Sequence, residues 1–265
     1  MKLTALSKHH FIEKCLIRQS KVGNCLCAGI DPDLAKLPSK YSQDLTGLEQ
    51  FLLDYISFAN DHVIAFKPNI SFFEALGLDG LRLLERVMKV VSNDIPIIID
   101  AKRGDIGNTA KMQAKFIYDY FNADATTLHP YMGSDSVVPF FEYKDKFNFV
   151  LVLTSNPSHT DFETRQLATG EPMYKAVLDK CDDWQQQYNN VGCVVGATHN
   201  GLADIRALND SLLFLLPGVG AQGARYADVY TQAQNKDGLC LINVSRGFMY
   251  ADQFDDSTIS KILKN

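Results

Sequence analysis

The sequence predicts an α/β protein, a single (β/α)8 TIM barrel with an N-terminal helix. Three observations predict it. Eight short, nearly continuous apolar runs recur along the chain, as parallel strands buried on both faces require. Segments with helical periodicity separate most of these runs. Charged or polar residues stand at the ends of at least five of them, and barrels of this class carry their sites at the C-terminal ends of the strands.

Residues 4–20 read as an amphipathic helix covering one end of the barrel. The first run, Cys25-Leu26-Cys27-Ala28-Gly29-Ile30, ends in Asp31. Residues 44–60 are helical, with Leu48, Phe51, Leu52, Tyr55 and Phe58 on one side. The second run, Val63-Ile64-Ala65-Phe66, ends in Lys67-Pro68-Asn69. Residues 79–93 are helical through Leu81, Leu84, Val87, Met88 and Val91, and the third strand runs from Ile95 to Asp100. A helix over 107–121 follows, with Asn108 or Thr109 near its start. Further strands are expected at 124–129, 147–154, 191–198, 212–217 and 239–244. They alternate with helices near 134–143, 171–190, 200–209 and 222–235, and a last helix covers 256–264. The irregular stretch 155–172 is a lid or a surface insertion. A doubly wound open sheet would show a glycine-rich dinucleotide turn after its first strand, where this chain has Pro32-Asp33-Leu34. No linker is evident, so residues 1–265 read as one domain.

Composition narrows the function classes. The net charge is -5 and no basic run is present, which argues against nucleic acid as a partner. No apolar run is long enough to span a membrane. The segment from Met1 to His10 lacks the apolar core of a signal peptide. Cys15, Cys25, Cys27, Cys181, Cys193 and Cys240 are scattered, four of them in apolar runs where cysteine behaves as a small hydrophobe. Neither a disulfide framework nor a zinc site is expected, and a cytoplasmic setting is the default. His9, His10, His62, His159 and His199 form no metal-ligand spacing.

The densest chemistry lies at the third strand, Ile97-Ile98-Ile99-Asp100-Ala101-Lys102-Arg103-Gly104-Asp105-Ile106-Gly107-Asn108-Thr109. Asp100 and Lys102 are two apart, so on an extended strand end they face the same way. Asp105 follows in the turn, where Gly104 and Gly107 loosen the backbone. Charges beside an apolar run are costly unless each is paired. A structural salt bridge is the blander reading, but no packing need explains acid, lysine and acid at a strand mouth. With Asp31 and Lys67 on the preceding strands, the pattern is an alternating charge array.

A second constellation is Pro217-Gly218-Val219-Gly220-Ala221-Gln222-Gly223, three glycines after a strand and before a helix. Backbone N–H groups there can cradle a phosphate. Arg246, after the last strand, adds a bidentate cation, and the loops after strands 7 and 8 are the usual phosphate site of this fold. Thr154-Ser155 ends the fifth strand. His129 ends the fourth, where a lone histidine is more often structural.

These segments resemble the orotidine 5'-phosphate decarboxylase family. Asp100-Ala101-Lys102-Arg103-Gly104-Asp105-Ile106-Gly107-Asn108-Thr109 matches its DxKxxDIxxT signature. Phe66-Lys67-Pro68-Asn69, Leu153-Thr154-Ser155-Asn156-Pro157, the 217–223 segment and Asn243-Val244-Ser245-Arg246-Gly247 match its other segments in the same order. The likeness spans about residues 25–250 and is strongest to the longer bacterial branch, through Lys67-Pro68-Asn69 and Pro130-Tyr131-Met132-Gly133. It implies decarboxylation of orotidine 5'-monophosphate to uridine 5'-monophosphate and CO2, the last step of UMP biosynthesis, without metal or cofactor. Lys102 resembles the proton donor to C6 of the pyrimidine, and Asp100 the carboxylate set against the substrate carboxylate. Lys67 and Asp31 resemble contacts to the ribose hydroxyls. Asp105, Ile106 and Thr109 resemble residues that reach into the neighbouring site of a homodimer. Ser155 resembles the contact to the pyrimidine edge. Gln222 and Arg246 resemble the phosphate grip, with the loop from Pro217 closing over it.

Two rivals remain at this stage. Magnesium-dependent hexulose-phosphate synthases and keto-gulonate phosphate decarboxylases share the DxKxxD motif but resemble each other in an acidic metal ligand at the end of strand 2. This chain has Lys67 there, which would repel a divalent cation. A silent barrel that only binds a nucleotide or sugar phosphate would need the phosphate grip but not the array.

Overall fold

The computed structural model describes residues 9–198, 201–219 and 224–264. Eight strands form one sheet in the order β2-β1-β8-β7-β6-β5-β4-β3, and every neighbouring pair is parallel. The strands are β1 (Leu26–Ile30), β2 (Ala65–Pro68), β3 (Ile98–Arg103), β4 (Ala125–Leu128), β5 (Phe147–Leu153), β6 (Val191–Val195), β7 (Phe214–Pro217) and β8 (Leu241–Val244). Parallel bridges Phe66↔Ile97 and Asn69↔Asp100 join β2 to β3 and close the barrel. The second bridge lies at the charged end of β3.

Helix α1 (His10–Val22) starts where the His9 imidazole accepts the Phe11 N–H and ends at Gly23 in the left-handed region. It buries Phe11, Cys15 and Arg18. The Phe11 ring stacks on Phe147 at 5.0 Å and meets Phe149 edge-on, so α1 closes the N-terminal end of the barrel. Each such ring, fully buried, contributes roughly 1.5–3 kcal/mol. The expected helix over 4–20 is thus seen from His10, and residues 1–8 lie outside the described residues.

Helix α2 (Leu45–Ala59) is capped by Asp44, which accepts the Gly47 N–H. It buries Leu48, Phe51, Leu52 and Tyr55 as the periodicity predicts, while Phe58 is partly buried and stacks on Phe254. Helix α3 (Ile70–Glu74) was not expected; Asn69 caps it by accepting the Ser71 N–H. Helix α4 (Gly77–Met88) stops short of the predicted residue 93, although Val91 is still buried. Strand β3 runs on to Arg103 instead of ending at Asp100, because Arg103 still pairs with Leu128.

The remaining helices are α5 (Gly107–Lys115), extended by a wider turn over Phe116–Tyr120, α6 (Ser134–Phe141), α7 (Met173–Tyr188), α8 (Leu202–Leu208), α9 (Tyr226–Ala233), α10 (Arg246–Met249) and α11 (Asp256–Lys264). All six cysteines are buried thiols. Among the described residues no helix is long and apolar enough to cross a membrane.

Candidate active site

The C-terminal ends of β2 and β3 bring Lys67, Asp100 and Lys102 together. Lys67 Nζ lies 2.7 Å from Asp100 Oδ2 and Lys102 Nζ lies 2.6 Å from Asp100 Oδ1. One carboxylate therefore sits between two ammonium groups. Lys67 is 4% exposed and Asp100 is also buried, whereas the Lys102 side chain is 48% exposed. Burial would lower the Lys67 pKa, but the charges of Asp100 and Asp31 and the hydrogen bond to Asp100 outweigh it and push it up to about 12. Burial would raise Asp100, but the two lysines outweigh it and hold the carboxyl far below the usual range.

The backbone at Lys102 departs from a plain strand. Lys102 has φ +45°, and the β3–β4 register shifts between Ile99, opposite Thr126, and Arg103, opposite Leu128. This is a bulge, and it corrects the expectation that strand alternation alone aligns Lys102 with Asp100. A left-handed non-glycine residue costs on the order of 1–3 kcal/mol and persists only where its surroundings hold it. Here Thr127 Oγ1 accepts the N–H groups of Ala101 and Lys102 at 3.1 and 2.9 Å and donates to Asp100 Oδ1 at 2.8 Å. Sequence reasoning missed Thr127. Its signal was a hydroxyl pair, Thr126-Thr127, inside a buried strand.

Beyond the bulge the chain turns sharply. A side chain at Gly104 would place its Cβ 2.7 Å from the His129 carbonyl oxygen, and Gly107 has φ +56°. The clash with backbone thus requires glycine at 104, and the left-handed backbone favours it at 107. Arg103 pairs with Glu74 of α3 at 2.6 Å. Asp105 does not join the array within the chain: its Oδ1 accepts the Ile106 N–H, and among the described residues no cationic group lies within 4 Å of it. Ile106 is 49% exposed, and Thr109 is exposed in the first turn of α5.

Asp31 follows β1, and its Oδ1 is buried with no hydrogen-bond partner. Tyr250, after α10, anchors this loop by accepting the Asp33 N–H at 2.8 Å. Pro217 ends β7, where its carbonyl accepts the Ala197 N–H. Arg246 opens α10 and is exposed, with no carboxylate within 4 Å among the described residues. Gln222 lies outside the described residues, as do Gly220, Ala221 and Gly223.

Ser155 stands just past β5. The preceding Thr154 gives its N–H and hydroxyl to the Glu163 carboxylate at 2.6 and 2.7 Å. The 155–172 stretch is thereby folded back onto the strand end, and an antiparallel bridge between Gln166 and Pro172 closes a smaller turn within it. It borders a cavity of about 380 Å³ lined by His129, Tyr131, Leu151, Phe162, Glu163 and Tyr174 among others, none of them from the array. Glu163 was also missed, since nothing in its sequence context ties it to Thr154.

Comparisons with known proteins point to one family. The family model described as orotidine 5'-phosphate decarboxylase / HUMPS family matches residues 25–257. An orotidine 5'-phosphate decarboxylase of Roseiflexus castenholzii is 44% identical over 230 residues, covering 86% of this chain and 84% of the relative. One of Leptospira interrogans is 38% identical over 257 residues, covering 95% and 92%. Among solved structures, Leishmania donovani OMP decarboxylase superposes with a TM-score of 0.84 at 34% identity, covering 96% of each chain.

Proposed function

The chain belongs to the orotidine 5'-phosphate decarboxylase / HUMPS family, and on that premise we propose that it converts orotidine 5'-monophosphate to uridine 5'-monophosphate and CO2 in pyrimidine biosynthesis. The observation that carries this reading is the Asp100 carboxylate held between the ammonium groups of Lys67 and Lys102.

The chemistry demands such a site. Breaking the bond from C6 to the carboxyl carbon releases CO2 and leaves the electron pair on C6, where the ring cannot delocalise it. Fixed charge must then stabilise the transition state. The half-exposed Lys102 ammonium faces the developing carbanion and delivers its proton to C6; solvent later restores that proton. Asp100 lies beside the substrate carboxylate and holds Lys102 in place. Lys67 and Asp31 take the ribose hydroxyls, and the buried, unpartnered Oδ1 of Asp31 suits a donated hydroxyl. Ser155 meets the pyrimidine edge. Arg246 and Gln222 grip the phosphate, with the loop from Pro217 closing over it, and the distant phosphate contributes binding energy that orders the array.

The working unit in this reading is a cytoplasmic homodimer of single-domain subunits. Asp105, Ile106 and Thr109 enter the neighbouring site. The exposed Ile106 and an Asp105 with no cation within 4 Å among the described residues support this. No metal is needed. Both Asp100 oxygens are already engaged by ammonium groups, which disfavours a divalent cation at that carboxylate.

The test is the absorbance change when orotidine 5'-monophosphate meets the purified protein, with and without a chelator. Conversion that resists the chelator is expected. Conversion abolished by it would overturn the metal-free reading, and no conversion by folded protein would overturn the reaction itself.

A further inference from the structure

We propose that Thr127 is a positioning residue for the reaction, fixing the carboxylate of Asp100 and the backbone that carries Lys102 through a single hydroxyl. The inference rests on the decarboxylase reading and deepens it.

A threonine hydroxyl has one proton and two acceptor positions. In Thr127 all three are used. Ala101 and Lys102 donate their N–H groups to Oγ1, and the hydroxyl donates to Asp100 Oδ1. With both acceptor positions filled by N–H groups, the proton has one direction left, toward Asp100. The side chain is 1% exposed, so water does not compete for these bonds.

Asp100 consequently receives donors from three successive strands: Lys67 on β2, Lys102 on β3 and Thr127 on β4. The two lysine bonds alone leave the carboxylate free to pivot between long, flexible side chains. The short threonine, mounted on a barrel strand, removes that freedom. The same oxygen captures the two consecutive amides of the bulge, including that of Lys102 itself, whose φ of +45° needs such support. Relaxing Lys102 toward an ordinary strand would move its Nζ away from Asp100 and from the reacting carbon. The neighbouring Thr126 provides the contrast: its hydroxyl is also buried but bonds the Ile99 carbonyl at 2.7 Å, and among the described residues it makes no hydrogen bond to a charged side chain.

The experiment compares Thr127→Val, Thr127→Ser and Thr126→Val with the unaltered protein by steady-state kinetics, thermal midpoint and amide hydrogen exchange at Ala101 and Lys102. Thr127→Val should lower kcat on the order of 100-fold, the cost of a misplaced reacting group. Its KM should stay within about threefold, as for an interaction made in the transition state. Thr127→Ser should restore kcat, and Thr126→Val should leave it near the unaltered value. Exchange at Ala101 and Lys102 should accelerate in Thr127→Val alone. A Thr127→Val enzyme with undiminished kcat would overturn the proposal. So would a folded Thr127→Ser enzyme whose kcat is itself lowered on the order of 100-fold, because the hydroxyl would then not be the working group; this arm stands even if valine prevents folding. If the unaltered protein fails to convert orotidine 5'-monophosphate, the decarboxylase reading falls, and the exchange pattern still decides whether Thr127 holds the bulge.

Discussion

Lys102 reaches Asp100 across 2.6 Å from a backbone in the left-handed region, not from the pleat of a regular strand. The β3–β4 register shifts between Ile99 and Arg103, and the Lys102 side chain within this bulge is half exposed. Asp100 stays buried and receives Lys67 on its other oxygen. The pairing thus separates two duties: Lys67 compensates the buried charge, and Lys102 remains accessible for chemistry.

Lys67→Met should destabilise the fold by about 1–3 kcal/mol, because the buried Asp100 Oδ2 loses its partner while Lys102 and Thr127 still hold Oδ1. The double variant Lys67→Met with Asp100→Asn should recover part of that loss. Urea unfolding of the single and double variants measures both. A single variant as stable as the unaltered protein would show that Asp100 is better solvated than its burial implies.

The same pair sets the pH limits of its contribution to stability. The folded Asp100 carboxyl lies below its ordinary value of 3.8, so its contribution is full above about 3.8 and is lost as pH falls below it. The folded Lys67 pKa, about 12, lies above its ordinary 10.5, so its contribution is full below 10.5 and is lost as pH rises through about 12. Between these limits the double variant and the unaltered protein should show parallel stability curves. Curves that diverge near neutral pH would contradict this assignment.

Subunit mixing tests whether Asp105 serves a neighbouring site. Lys102→Ala and Asp105→Ala proteins, each inactive alone, are unfolded together and refolded. Random pairing in a symmetric dimer with shared sites should restore about a quarter of the unaltered activity. Mass spectrometry of differently tagged subunits confirms the pairing. Mixed dimers without activity would place Asp105 in its own subunit's site.

Much of this architecture was legible because buried parallel strands are written as apolar runs and their ends as charges. Lys67, Asp100 and Lys102 are brought together as the third-strand pattern implies. The pattern could not show how. Strand alternation predicts side from spacing, and the bulge depends on a hydroxyl of β4, a neighbour that only the folded barrel supplies. The end of β3 was misjudged because Arg103 carries no apolar signal while its backbone still pairs with Leu128. Helix α3 was missed because five residues are too few for periodicity, although Asn69 was a cap in plain sight. Asp105 lies in the turn after β3, where it accepts the Ile106 N–H, and its reach toward a neighbouring subunit is a matter for the assembly and not for one chain. For Gln222 the expectation falls outside the described residues.

In the proposed reaction Lys102 acts on the reacting carbon while its neighbours bind. Single-turnover kinetics of Lys102→Ala, with uridine 5'-monophosphate affinity measured in parallel, test this most directly. The rate should fall by at least about 1,000-fold, as loss of a proton donor that also stabilises charge predicts, while product affinity stays within about tenfold. A variant whose rate stays within about tenfold of the unaltered enzyme, roughly 1.4 kcal/mol in the barrier, would contradict the claim.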